Sequence, residues 1–259
     1  MTRQGFLTLG LLVCLAGPLS AQTPAAEPPV EFLSRAAFHL SAEQLYGEPD
    51  ERYRWDTHFG GEIDIVDYRA GRLTFTADYE AVLGEEIRIF DPNQGNYILE
   101  GSTSLRLPAV EIAAVLYHQS RHLADRPKIA AVDWNMLGVR ARRAFPLGAL
   151  HMDARADMRY SVLTSYVDYR WEFDGRLRGD RVIRPGVGIL FSGALRHLGV
   201  DGTRDRGGQT GWRGEGGVRL EGSAAAVELF VAAERRIDPY PLEFGTVRWV
   251  SAGFKLLSP

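Results

Sequence analysis

In Tyr117-His118-Gln119-Ser120 a histidine stands two residues before a serine, a pairing with a definite chemical use. A serine hydroxyl attacks an ester carbonyl when an imidazole takes its proton, and a third polar group must hold that imidazole in the useful tautomer. On a β-strand the i, i+2 spacing sends both side chains out of one face. The third group must then come from a neighbouring strand, and Asn135, in Asp133-Trp134-Asn135 beyond a polar loop, is placed to supply it. The chemistry this trio permits is acyl transfer, with Ser120 as nucleophile, His118 as base and Asn135 as its orienter.

Parity makes the pair unusual. Val110, Ile112, Ala114 and Leu116 give the even positions an apolar face, and His118 and Ser120 continue it. Asn135 shares parity with Leu137, Val139, Ala141 and Phe145, a second apolar face interrupted only by Arg143. Polar groups on an apolar face are costly unless they hydrogen-bond one another.

The elements that position these residues read as strands throughout. Leu73, Phe75, Ala77, Tyr79 and Ala81 alternate with Arg72, Thr74, Thr76, Asp78 and Glu80, and Tyr169, Trp171 and Phe173 alternate with Arg170, Glu172 and Asp174. Twelve such segments follow one another: 33–45, 53–67, 71–83, 95–107, 109–122, 134–145, 148–163, 168–179, 182–198, 209–222, 224–236 and 243–256. A soluble β-sandwich also alternates, but these segments exceed the roughly 9 to 11 residues that a tilted strand needs to cross a bilayer. Short turns at 68–71, 107–108 and 146–148 alternate with longer polar loops near 46–52, 84–94, 123–133 and 199–208. That is the pattern of short periplasmic turns and longer external loops. The expected fold is all-β: a single antiparallel transmembrane β-barrel of about twelve strands. Phe254 suits the aromatic that often ends such barrels, although Lys255 to Pro259 follow it.

Met1 to Ala21 reads as a secretory signal, with Arg3 as its basic start, an apolar core from Phe6 to Gly17, and Leu19-Ser20-Ala21 as the cleavage site. Residues 22–31 form a proline-rich periplasmic linker, which leaves 32–259 as the barrel and places it in the outer membrane. Cys14, the single cysteine, lies inside the signal behind Leu12-Val13, where a lipoprotein signal would carry a small residue. The mature chain therefore has neither disulfides nor thiolate metal ligands. A net charge of −3 without basic runs excludes a nucleic-acid partner, and no apolar stretch is long enough for a membrane helix.

With its Asp125 and Trp134-Asn135, the Tyr117-to-Ser120 segment resembles the active-site segment of outer-membrane phospholipase A, a calcium-dependent twelve-stranded barrel. The resemblance covers roughly 117–140. It implies Ser120 as nucleophile, His118 as base, Asn135 as orienter, Asp125 at a calcium-ligand position, and membrane lipid as the partner of a monomer or homodimer. Two departures stand out. Arg121-His122 occupies the place of the family's Asn-Gly, whose glycine amide helps bind the oxyanion, and the loop to Trp134 is about three residues longer. The run from His118 to Asp125 also resembles a His-x-Ser-Ser-His-Leu-Gly-Asp segment of an uncharacterised bacterial outer-membrane family, which adds His122 to the candidate site. Lipid A deacylation is a related expectation, since small barrels there also use a lipid-facing His-x-Ser pair.

Other readings accompany these. His118 and Ser120 also suit the headgroup level of a non-enzymatic barrel, a narrow pore or a structural lipid-binding protein. Tyr117 and Trp134 read as girdle aromatics. His151, Asp153, Arg155, Asp157 and Arg159 read as a lumen ion-pair ladder with Arg140, Arg142, Glu172 and Asp174. Arg206-Gly207-Gly208 reads as an exposed loop, and Glu234-Arg235-Arg236 as solvated.

Overall fold

A computed structural model describes residues 30–258 except Lys128. The signal over 1–21, Cys14 and the linker up to residue 29 lie outside the described residues.

Twelve strands close into one antiparallel barrel: β1 (Glu31–Tyr46), β2 (Trp55–Asp67), β3 (Arg72–Gly84), β4 (Asp91–Arg106), β5 (Glu111–Leu123), β6 (Val132–Leu147), β7 (Leu150–Ser165), β8 (Tyr169–Arg184), β9 (Val187–Val200), β10 (Gln209–Glu221), β11 (Ala226–Ile237) and β12 (Thr246–Leu257). Each pairs with its sequence neighbours, and β1 with β12 closes the ring. The ladders differ in length: β6 and β7 match fifteen residue pairs, β1 and β12 only eight, from His39↔Leu257 to Tyr46↔Val250.

Two boundaries differ from the sequence expectation by four residues or more. The turn between β8 and β9 is Pro185-Gly186, not residues near 180; Gly186 has φ +76°, which the proline before it and the absent Cβ both favour. Strand β4 starts at Asp91, because Asp91, Asn93 and Gln94 turn inward and are buried despite their turn-forming composition. The β7–β8 connection, residues 166–168, is also short for an external loop.

The barrel inverts the burial rule of a water-soluble protein. Leu116, Leu137, Val139, Val162 and Val231 are each more than half exposed on the outside, while Glu100, Arg140, Asp157, Arg159 and Glu172 are buried within. Such an exterior is unfavourable in water, at about 25 cal/mol per Å² of apolar surface, and unstrained in hydrocarbon. The molecule is a transmembrane β-barrel of the outer-membrane type.

Paired charges fill the lumen. Arg140 donates to Glu100 at 2.6 and 2.5 Å and to Asp157 at 2.7 Å. Arg155 joins Asp157 at 2.6 Å, Arg159 and Arg196 share Glu172, and Arg176 holds Asp174. Most of the ladder expected along β7 is therefore present, but Arg142 lies beside Glu62 and His151 pairs with Asp180 at the exposed end. The Glu234-Arg235-Arg236 stretch is not solvated: Arg236 reaches across the lumen to Asp56 at 2.6 Å and Glu80 at 2.9 Å. Tyr117 and Trp134 are not girdle aromatics either. Opposite in parity to His118 and Asn135, they point inward and pack with Val115, Met136, Tyr169 and Leu198.

The outer mouth is stoppered by the β11–β12 connection. Asp238 and Pro239 are buried, and Arg121 on β5, across the ring, donates to their carbonyls at 2.6 and 2.8 Å. Gln94 donates to the Pro239 carbonyl at 2.9 Å, and Tyr169 Oη to the Asp238 carboxylate at 2.8 Å. Arg206, expected in an exposed loop, folds over this stopper onto Asp168 and Asp238. Burial pulls its pKa down, but the two carboxylates outweigh that and hold the guanidinium charged beyond its usual range.

Candidate functional site

Alternation places His118, Ser120 and His122 on the lipid-facing side of β5, near the end that carries the longer loops. The ladders fix what lies beside them. His118 stands between Leu99 of β4 and Asn135 of β6, Ser120 between Tyr97 and Asp133, and His122 next to Gly95.

Asn135 meets His118 as expected: Nδ1 of the imidazole lies 3.0 Å from Asn135 Oδ1. Because an amide oxygen can only accept, the imidazole carries its proton on Nδ1, which leaves the Nε2 lone pair free to take a proton. The serine is turned the other way. Its Oγ lies 3.2 Å from His122 Nε2, and among the described residues no hydrogen bond joins it to His118. Ser120 thus sits between two imidazoles at i−2 and i+2, one oriented by an amide, the other holding its hydroxyl. A rotation about the serine χ1, between staggered wells, is the movement that redirects Oγ.

Two aromatics that the sequence reading did not single out complete the face. Tyr97, the register partner of Ser120, meets the His122 ring edge-on with centroids 5.4 Å apart, and Tyr79 packs on Tyr97 at 5.0 Å. Gly95 makes room for them, since a Cβ there would come within 2.5 Å of the Tyr79 hydroxyl. Tyr79 was visible only as one more apolar-face residue. Linking it to Ser120 requires the register of three strands.

The residue after the serine contributes no cation to this face, because the Arg121 guanidinium lies in the lumen. Asp125 stands beyond the strand end at φ +53°, its carboxylate 2.9 Å from Arg88. Among the described residues it belongs to no grouping of three metal-ligand atoms; the one such grouping, Asp56, His58 and Glu80, is inside the barrel.

No protein-family model matches the chain, and no curated protein matches it. Solved structures do. Outer membrane phospholipase A from Escherichia coli aligns with 86% of this chain and 96% of its own, at TM-score 0.53 and 10% identity. A Salmonella typhi outer membrane phospholipase dimer with bound calcium covers 86% and 90%, at 0.52 and 10%. An outer membrane channel from Pseudomonas putida F1 covers 90% and 98%, at 0.52 and 11%. At such identities the likeness is one of fold, and it extends to enzymes and to a channel alike.

Proposed function

We propose that this barrel is a lipid-facing serine hydrolase that cleaves acyl esters of phospholipid or lipid A. The observation that carries the proposal is the 3.0 Å contact between His118 Nδ1 and Asn135 Oδ1, with Ser120 on the same outward face. A buried or membrane-facing imidazole and amide satisfy each other whatever their role, but the nitrogen left free is the one a neighbouring serine needs.

In the proposed reaction Ser120 Oγ turns from His122 to His118 Nε2 and gives up its proton while attacking the acyl carbonyl. The Asn135 carbonyl then faces an imidazolium, a stronger acceptor interaction than in the resting state. His118 returns the proton to the departing alcohol, and water cleaves the acyl-serine by the same steps reversed. Tyr97 and Tyr79 would pack along the acyl chain.

Calcium remains an expectation of the resemblance. Asp125 is the residue assigned to it, but Arg88 already holds that carboxylate, so no step here runs through the ion. A monomer or homodimer would serve equally, since the trio lies within one chain. A pore is disfavoured by the filled lumen and the Asp238-Pro239 stopper.

Purified barrel in mixed phospholipid micelles, with and without calcium, is expected to release fatty acid, and Ser120→Ala to abolish release. Equal release by that variant refutes the proposal.

A further inference from the structure

Inside the barrel, far in chemistry from the lipid-facing trio, β2 and β3 bring together imidazole and carboxylates. Asp56 and His58 project inward from β2, and Glu80 is the register partner of His58 on β3. Their ligand atoms all lie within 4.8 Å of one another. His58 Nε2 is 3.6 Å from Asp56 Oδ1 and 4.0 Å from Glu80 Oε1, too long for hydrogen bonds. A tetrahedral ion with arms of about 2.0 Å holds its ligands roughly 3.3 Å apart, so His58 must close by about 0.3 Å on Asp56 and about 0.7 Å on Glu80, and the two carboxylates by no more than about 1.5 Å, shifts within reach of side-chain rotation.

Two further observations point to a ligand. Asp56 is 1% exposed, and its Oδ1, on the side facing His58, accepts no hydrogen bond, although a buried carboxylate oxygen left so is costly. Asp56 and Glu80 also share a single guanidinium, Arg236, which is itself shared with Glu234. Arg236 occupies Asp56 Oδ2 and leaves Oδ1 free. A divalent cation would offset the surplus negative charge.

The surroundings are arranged to orient the imidazole. His58 Nδ1 lies 2.7 Å from Asp78 Oδ2, which places a proton on Nδ1 and turns Nε2, the nitrogen a metal would take, toward the gap. Asp78 is steadied in turn by His39 Nε2 at 3.2 Å. Gly60 permits this arrangement: a Cβ there would lie 2.7 Å from Asp78 Oδ1 and 2.9 Å from the His39 ring.

We propose that Asp56, His58 and Glu80 bind one divalent transition metal of the zinc class inside the barrel, with Asp78 fixing the tautomer of His58. One imidazole among carboxylates favours such an ion over calcium or magnesium, which prefer oxygen alone. The ion would join β2 to β3 from within and take no part in the acyl chemistry outside.

The full mature barrel, folded in detergent and stripped with EDTA, is titrated with Zn²⁺ by calorimetry and with Co²⁺ by visible absorption. One equivalent is expected to bind, with a Co²⁺ spectrum of four-coordinate nitrogen and oxygen ligation. His58→Ala is expected to lose binding, Asp78→Asn to weaken it about 10- to 100-fold, and His151→Ala, which removes an exposed surface imidazole, to change nothing. Absence of stoichiometric binding overturns the proposal, as does unchanged affinity in folded His58→Ala. If His58→Ala does not fold, as read by its heat-dependent gel mobility, the near-isosteric Glu80→Gln decides: weaker binding supports the site and unchanged binding overturns it.

Discussion

Replacing Asn135 by alanine separates the two imidazoles that flank Ser120. In the resting state the amide oxygen accepts a hydrogen bond at 3.0 Å from a neutral ring, worth about 1 kcal/mol net. When His118 takes the serine proton the ring becomes charged, and a hydrogen bond to a charged group is worth about 1.5–3 kcal/mol. The difference, about 0.5–2 kcal/mol at 1.36 kcal/mol per decade, means that Asn135→Ala should lower kcat about 2- to 30-fold with little change in KM. Asn135→Asp, which keeps an acceptor, should retain more activity than Asn135→Ala. His122→Ala should cost less than about tenfold, because that ring holds the hydroxyl only before it turns. The assay is fatty-acid release from mixed micelles over a range of lipid mole fractions, which separates kcat from KM. If His122→Ala abolishes release while Asn135→Ala stays within twofold of wild type, His122 is the base and the Asn135 contact serves only to satisfy a lipid-facing imidazole.

Three further outcomes follow from the fold. Arg140→Met leaves the Glu100 and Asp157 carboxylates buried without their shared guanidinium, and should destabilise the barrel by about 3–5 kcal/mol in reversible urea unfolding; adding Glu100→Gln and Asp157→Asn should recover part of the loss. Leu116→Arg puts a charge midway along the lipid face of β5 and should cost about 2–4 kcal/mol in lipid vesicles; a neutral effect would contradict the assigned outer face. Arg121→Ala removes the bonds to the Asp238 and Pro239 carbonyls, so limited proteolysis should cut within residues 238–245 several times faster than in wild type.

The strands were legible because alternation over more than ten residues has one period and one reading, as in Leu73 to Ala81. The same period told that His118, Ser120 and Asn135 share the outer face, and hairpin adjacency brought two of them together. A side-chain rotamer leaves no mark in sequence, so the turn of Ser120 toward His122 was not visible. Tyr117 and Trp134 were misread as girdle aromatics although parity alone sets them inward. Pairings across the lumen escaped for a different reason. Arg236 with Asp56 and Glu80, and Arg121 with Asp238 and Pro239, join strands far apart in sequence whose rotation about the barrel axis no local pattern encodes. Gly60 likewise carries no local signal, since its meaning depends on the two side chains that meet across it.

The eight-pair ladder between β1 and β12 joins the strands that are farthest apart in the chain. It is thus at once the contact of greatest sequence separation and the one with fewest rungs. Loop-closure entropy must be overcome in full before this ladder yields any stabilisation, so closing the ring is the late step of assembly. Beyond this ladder Phe38 still bonds Ser258, but among the described residues the seven residues of β1 before Phe38 have no partner on that side, so the open edge faces the end of the barrel where the chain enters and leaves. The ring consequently has a zipper with one loose end, where a lateral opening of the wall would start.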